Sequence, residues 1–261
     1  MLTDKPPMDN GDLVKTINGV THVDAQDLDY RQLNAILRHL ANPERTVHVE
    51  NVLGQRYIGT DIKASLELHI HGTPGNDLAA FMDGGKVIVH GNAQDGVGNT
   101  MNSGVVVVHG KTGDIAGYSM RGGELYIRDD VGYRCGIHMK QYGSQIPTIV
   151  VGGTGQDYLG EYMAGGILVV MGLTLGQDLV HKARFAGTGM HGGVIYLRGK
   201  LQHVCRNVQL EPLESEDFGR LSDAIDAFAK HLGAPNTEVE AEDFMKLVPL
   251  SKRPYSEHYT L

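Results

Sequence analysis

Tryptophan is absent from this chain of 261 residues, and aromatic residues make up only 6%. A core of any size must therefore be aliphatic, with the 10 methionines as adaptable filler. Cysteine is scarce too: Cys135 and Cys205 stand far apart with no CxxC pair. That excludes a zinc finger, a disulfide framework and a cysteine-ligated iron–sulfur cluster of the chain's own. Both cysteines read as packed small residues. Positive charge is in deficit, 23 Lys and Arg against 31 Asp and Glu, so the basic footprint needed for broad nucleic-acid or acidic-membrane binding is missing. No run approaches the ~18 apolar residues of a membrane span. The opening Met1-Leu2-Thr3-Asp4-Lys5-Pro6-Pro7 lacks the basic-then-apolar order of a signal peptide. The expectation is a soluble cytoplasmic protein with neither nucleic-acid nor membrane partners.

Glycine is what the chain has in excess. Of 35 glycines, 29 fall between Lys63 and Lys200. Collagen periodicity and flexible-linker composition both fail there, because the segment carries Val105-Val106-Val107-Val108 and Ile167-Leu168-Val169-Val170. An internal repeat accounts for the pattern. Met82, Met101 and Met120 are 19 residues apart, each followed three positions on by Gly85, Gly104 or Gly123, and Met163 and Met190 open the same pattern with Gly166 and Gly193. Lys63 and Ser144 complete the series, giving seven units that begin at 63, 82, 101, 120, 144, 163 and 190.

Other columns share this register. Five residues into the units stand Leu68, Val87, Val106, Leu125, Ile149, Leu168 and Ile195; seven in stand Ile70, Val89, Val108, Ile127, Val151, Val170 and Leu197. Two aliphatic columns around a mixed one are the mark of a short strand with one face inward. Nine in, Gly72, Gly91, Gly110, Gly153, Gly172 and Gly199 end the strand, with Asp129 as the exception. Sixteen in come Ala79, Gly98, Gly117, Gly136, Gly160 and, with an insertion placed before it, Gly187.

A 19-residue unit is too short for a helix pair and suits one coil of a β-solenoid, whose inward residues form ladders along the axis. The predicted fold is mainly β: a single-stranded parallel β-helix of about seven coils, right-handed by the general bias of parallel crossovers, with helical flanks. Residues 1–61 read as an N-terminal cap region, with a helix over Asp27 to Ala41 stopped by Pro43 and a strand and turn over Val47 to Gly54. Residues 62–205 read as the β-helix. Residues 206–261 read as a helical extension and tail: Phe218, Leu221, Ile225, Phe228 and Leu232 mark one helix closed by Gly233 and Pro235, a shorter one is expected over Ala241 to Val248, and the polar segment from Pro249 to Leu261 follows. The longer units, around Met139 to Gly143 and Leu173 to Ala186, place loops on the wall, with Lys140, Asp178, His181, Lys182 and Arg184 as contact candidates.

Chemistry-bearing residues also fall into columns. His71, His90, His109 and Arg128 stand eight into their units and should form an outward stripe, a candidate face for a partner or an anion. Stacked imidazoles at one coil spacing do not converge on a tetrahedral metal without a carboxylate or thiolate partner, so no metal site is assigned. Asn76, Asp95, Asp114 and Asp157 stand thirteen in. A catalytic pair would occur once, whereas Gly91-x-x-x-Asp95-x-x-Gly98 recurs as Gly110 to Gly117, and Gly153, Asp157 and Gly160 repeat the spacing. These are turn residues, with carboxylates accepting backbone N–H groups at corners. No phosphate loop, dinucleotide fingerprint or Ser/His/Asp arrangement is present. The single calcium-nonapeptide match at Gly152 to Gly160 has no stacked companion. The leading reading is a scaffold; the reading from another class is a β-helix enzyme acting on carbohydrate or acyl groups through the aspartate column.

The repeated M-x-G-G-x-[VIL]-x-[VIL]-x-G units resemble the GXGXG domain that closes the large subunit of glutamate synthase and occurs as a separate subunit in some prokaryotes. Glu161-Tyr162-Met163-Ala164-Gly165-Gly166 and Gly189-Met190-His191-Gly192-Gly193-Val194-Ile195-Tyr196 carry the likeness most clearly. The domain is also similar to the scaffold-type subunit of formylmethanofuran dehydrogenase. The resemblance covers roughly residues 45–205. It implies a right-handed β-helix with no cofactor or catalytic residue of its own, inside an oxidoreductase complex of nitrogen metabolism and glutamate biosynthesis. The partners it implies are a glutamine amidotransferase chain, which frees ammonia, and a synthase chain carrying FMN and an iron–sulfur cluster. A homo-oligomer is compatible with it.

Overall fold

The computed structural model describes residues 13–41, 45–63, 66–233 and 239–251. The chain enters with β1 (Val14–Ile17), β2 (Val20–Asp24), helix α1 (Tyr30–Leu40) and β3 (Thr46–Leu53). The repeat then supplies β4 (Glu67–Thr73), β5 (Asp83–Val89), β6 (Ser103–Val108), β7 (Glu124–Ile127), β8 (Thr148–Val151), β9 (Ala164–Val170), β10 (Val180–His181) and β11 (Gly192–Arg198). It closes with β12 (Lys200–Leu201), β13 (Val208–Glu211), helix α2 (Ser215–Leu232) and β14 (Phe244–Pro249).

Twelve of these strands form one sheet in the order β1-β2-β3-β4-β5-β6-β7-β8-β9-β11-β14-β13. From β2 to β11 nine strands make eight parallel pairings, which gives a mainly β solenoid of about eight turns. Strand spacing of about 4.8 Å gives the stack a length of roughly 40 Å. The register is the one that the columns predict: Leu68, Val87, Val106, Leu125, Ile149, Leu168 and Ile195 are Cα partners in succession. Both aliphatic columns are fully buried. Each such side chain contributes roughly 1.5–3 kcal/mol, so the two ladders dominate the stability of the wall.

The stack is longer than the seven units anticipated, because β2 and β3 are rungs of the same sheet. Val47 pairs with Leu68 and Thr21 with Val47, extending the inward column upstream. The predicted boundary at 61/62 therefore does not interrupt the sheet. Helix α1 lies between these two rungs and buries Leu33 and Leu37 in the main core. Its start is set by Asp29, whose carboxylate accepts the Arg31 and Gln32 amides while Gln32 Oε1 accepts the Asp29 N–H, a reciprocal cap.

Two unit starts need correction. Ser144 is exposed, and buried Met139 takes its place, 19 residues after Met120. Lys63 is likewise exposed, and Ile62 occupies the buried position. Asp83 N bonds Ile62 O, and Lys140 N bonds Met120 O in the same relation. The extra residues of the fifth unit thus follow its methionine instead of preceding it.

The mixed column between the two ladders is a second core. Ile88, Val107, Tyr126, Val150, Val169 and Tyr196 point outward and are buried with Leu221, Ala224 and Phe228 of α2. This helix runs back along the wall from Tyr196, which bonds Asp217, to Tyr126, whose ring lies 4.8 Å from that of His231. Gly152 admits the Phe228 ring: a Cβ there would lie 2.6 Å from its Cζ. Gly233, at φ +87°, closes the helix.

The helix predicted over Ala241 to Val248 is instead one 3₁₀ turn, Ala241–Asp243, followed by β14. β14 pairs antiparallel with β11 and with β13. An end rung has free N–H and C=O groups, and a strand satisfies them where a helix cannot. Pro43, Pro235 and the tail from residue 252 lie outside the described residues.

Candidate functional site

Among the described residues no helix is long and apolar enough to cross a membrane. Cys135 is buried, which pushes its thiol up to about 12. Cys205 Sγ lies 3.1 Å from Thr188 Oγ1. A cleft beside β14 is lined by Gln141, Ile146, Glu211, Arg220 and Lys246, but its charges are engaged: Lys246 with Asp217, Arg220 with Glu216.

The aspartate column lies at the coil corners. Asp95 Oδ1 accepts the Asp114 amide at 2.9 Å, Asp114 Oδ1 accepts the Tyr133 amide at 2.8 Å, and Asp157 Oδ1 accepts the Arg184 amide at 2.8 Å. Each carboxylate therefore ties its own corner to the next coil. The Arg184 guanidinium and amide hold the Asp157 carboxyl below its ordinary value. Of the companion glycines, Gly117 has φ +70°, as Gly98 has, and Gly160 has +63°. Gly110 serves close stacking: a Cβ on it would lie 2.6 Å from Gly91 O. Gly91 and Gly153 also meet the preceding coil, at Gly72 O and at the Asp130 carboxylate.

Positive φ also recurs two residues to either side of the Gly117 position. Ile115 and Ser119 share it in one coil, Arg134 and His138 in the next, Tyr158 and Tyr162 in the one after. Sequence reading missed these columns because non-glycine residues fill them. The corners raise an aromatic wall: His138 stacks on Tyr162 at 5.3 Å, Tyr158 on Phe185 at 5.1 Å, and the Arg134 guanidinium lies 4.8 Å from the Tyr158 ring centre. Tyr162 and Phe185 are exposed. Of the loop candidates, Lys140, Asp178 and Lys182 are exposed, Arg184 is paired with Asp157, and His181 is fully buried. His181 cannot be a contact residue: its ring is bonded to Thr154 Oγ1 and Arg198 O.

The imidazole stripe is larger than the sequence reading makes it. His71 lies within β4, and His90 and His109 directly follow β5 and β6; His71 and His90 stack at 4.5 Å, His90 and His109 at 5.6 Å. Arg128 turns to Asp129, with Nε–Oδ1 at 3.2 Å. A parallel column of His22, His48 and His69 stands beside it on β2, β3 and β4, in register. His48 and His69 stack at 4.5 Å, and His48 Nδ1 lies 3.0 Å from His71 Nε2. His69 Nδ1 lies 3.0 Å from His90 Nε2, while Glu67 holds His69 Nε2 at 2.7 Å. Glu50 closes the group, its Oε1 3.5 Å from His22 Nδ1 and 3.9 Å from His71 Nε2.

Burial, and then the neighbouring imidazoles, lower the pKa of His48; the same causes bring His90 to about 4. Burial followed by the Arg128 charge lowers His109. The signal for the missed residues lay in three short strings, Thr21-His22-Val23-Asp24, Val47-His48-Val49-Glu50 and Leu68-His69-Ile70-His71. They share one alternation at spacings other than 19.

Comparison with known proteins matches this architecture. An uncharacterized protein of Methanocaldococcus jannaschii, MJ1350, is 45% identical over 249 residues, covering 91% of this chain and 95% of its own length. The family model described as the GXGXG motif matches residues 25–249, from the residue after β2 to the end of β14. With its glycines at the coil corners and its inward ladders in one register, the chain belongs to the GXGXG motif family.

Proposed function

We propose that this chain is a non-catalytic β-helical subunit of a glutamate-synthase-type complex in the cytoplasm. It holds a glutamine amidotransferase chain and an FMN- and iron–sulfur-containing synthase chain in the geometry for ammonia transfer. The observation that carries this reading is the family match over residues 25–249, a motif found in the C-terminal domains of glutamate synthase.

The physical logic supports it. A stack of rungs joined by one continuous sheet is stiff along its axis and presents long faces at little entropic cost. The aromatic wall around Tyr162 and Phe185 offers rigid, amphipathic side chains of the kind that anchor protein interfaces. Flavin and cluster belong on the partner chains in this reading.

Affinity purification of the full chain from its native source tests the proposal. Co-purification of an amidotransferase and a flavin- and iron-containing chain is the expected result, weakened by Tyr162→Ala with Phe185→Ala. Recovery with a molybdenum or tungsten enzyme would replace it by the formylmethanofuran dehydrogenase reading. Glutamine hydrolysis or glutamate synthesis by the isolated chain would overturn it.

A further inference from the structure

We propose that His22, His48 and Glu50 form a binding site for a divalent transition-metal ion of zinc character, with His71 hydrogen-bonded to His48 beside them. The inference is independent of any role in a complex. One donor nitrogen from each of His22 and His48 and one Glu50 oxygen all lie within 4.8 Å of one another. Bonds of about 2.0–2.1 Å put neighbouring tetrahedral ligands roughly 3.3 Å apart. His22 Nδ1 and Glu50 Oε1, at 3.5 Å, are close to that separation. That distance is too long for a good hydrogen bond and suited to a shared ion.

The donors come from two successive rungs. His22 sits on β2, His48 and Glu50 on β3, and in-register pairing of the backbones fixes their relative positions. A stack of imidazoles lacks the carboxylate that a tetrahedral ion needs, and β3 brings one: Glu50 is the register partner of Asp24 on β2 and stands two residues after His48, on the same face of the strand. Asp24, next in that column, is engaged by Gln26 N and Asn51 Nδ2, so Glu50 is the acid at hand. His69 stacks on His48 and is held by Glu67, which restrains the site from outside. Two nitrogens with one oxygen suit zinc, or cobalt as its probe, over the all-oxygen shells of calcium and magnesium. Bound there, the ion would clip the first rungs of the solenoid together.

The test is equilibrium dialysis of the untagged full chain against zinc at pH 7.5, with cobalt absorption as a spectroscopic readout. The expected result is one ion per chain, with affinity weakened ten-fold or more by Glu50→Gln and by His22→Gln and unchanged by His109→Asn. Nitrogen-15 NMR of the wild-type rings gives a readout that needs no variant: zinc should shift the His22 and His48 ring nitrogens before those of His109. Absence of stoichiometric uptake would overturn the proposal. So would equal weakening by His109→Asn and Glu50→Gln, which would mean diffuse binding along the imidazole stripe.

Discussion

The Met101 methyl fills the space that a side chain on Gly123 would need: a Cβ there would lie 2.6 Å from Met101 Cε and 2.8 Å from Gly104 O. The same relation joins Met82 to Gly104, Met139 to Gly166 and Met163 to Gly193. Methionine and glycine therefore recur together because each methionine packs against the glycine of the following coil. Gly123→Ala combines a side chain at φ +76° with a clash against backbone, and should cost about 2–4 kcal/mol. That corresponds to a fall in Tm of roughly 5–15 °C. Gly143→Ala, also at positive φ but in open space, should cost about 1 kcal/mol. Equal effects of the two substitutions in urea unfolding would refute the packing account.

Asp217 pins helix α2 to the end of the stack. Its carboxylate accepts from Tyr196 Oη, from Lys246 Nζ at 2.8 Å and from the Glu214 amide at 2.8 Å. Burial alone would raise this carboxyl, but those three hydrogen bonds outweigh it and hold the group below its ordinary value. Asp217→Ala leaves Lys246 without its main partner and should destabilise by about 3–5 kcal/mol. With the folded pKa depressed, the contribution is present above the unfolded carboxylate pKa of about 3.9 and is lost as pH falls through the folded value. Chemical unfolding at pH 7 followed by helical circular dichroism checks the loss.

The imidazole stripe predicts a separate acid sensitivity at higher pH. His90, ordinarily near 6.5, is held at about 4 in the folded chain, so between these values the unfolded chain binds more protons. Stability should therefore fall as pH drops from 6.5 to 4, with the loss complete below the folded value. His48 and His109 act in the same direction. The His90 ring is substantially exposed, and solvent screening reduces its share to about 1–2 kcal/mol. Urea midpoints at pH 7.5 and 4.5 should converge in His90→Asn relative to wild type; an unchanged gap would contradict the assignment.

The corner aspartates should behave as cross-coil acceptors. Asp114→Ala removes the partner of the Tyr133 amide and should cost about 0.5–1.5 kcal/mol, whereas Asp114→Asn keeps an acceptor oxygen and should cost little. Unchanged stability in Asp114→Ala would remove the cross-coil role and favour the reading of this column as catalytic acids.

Both ladders and their register were legible in the residues alone, because alternation around Leu68–Ile70 or Val106–Val108 is a local property of each strand. Glycine spacing likewise marked Gly117 and its equivalents, where backbone handedness restricts the choice of residue. The candidate metal site was not legible at the 19-residue spacing, since α1 separates the His22 and His48 rungs and alters their interval.

Tertiary contact decided the rest. The insertion after Met139 could be located only by seeing which residue reaches the core. Phe244 to Val248 became a strand because the free edge of β11 needed hydrogen-bonding partners, a demand made by a segment over forty residues away. The outward column from Ile88 to Tyr196 became a second core because α2 folds back over it. Strand pattern is set by neighbours along the chain; the occupants of an edge or an outer face are set by whatever distant segment best satisfies their exposed polar and apolar groups.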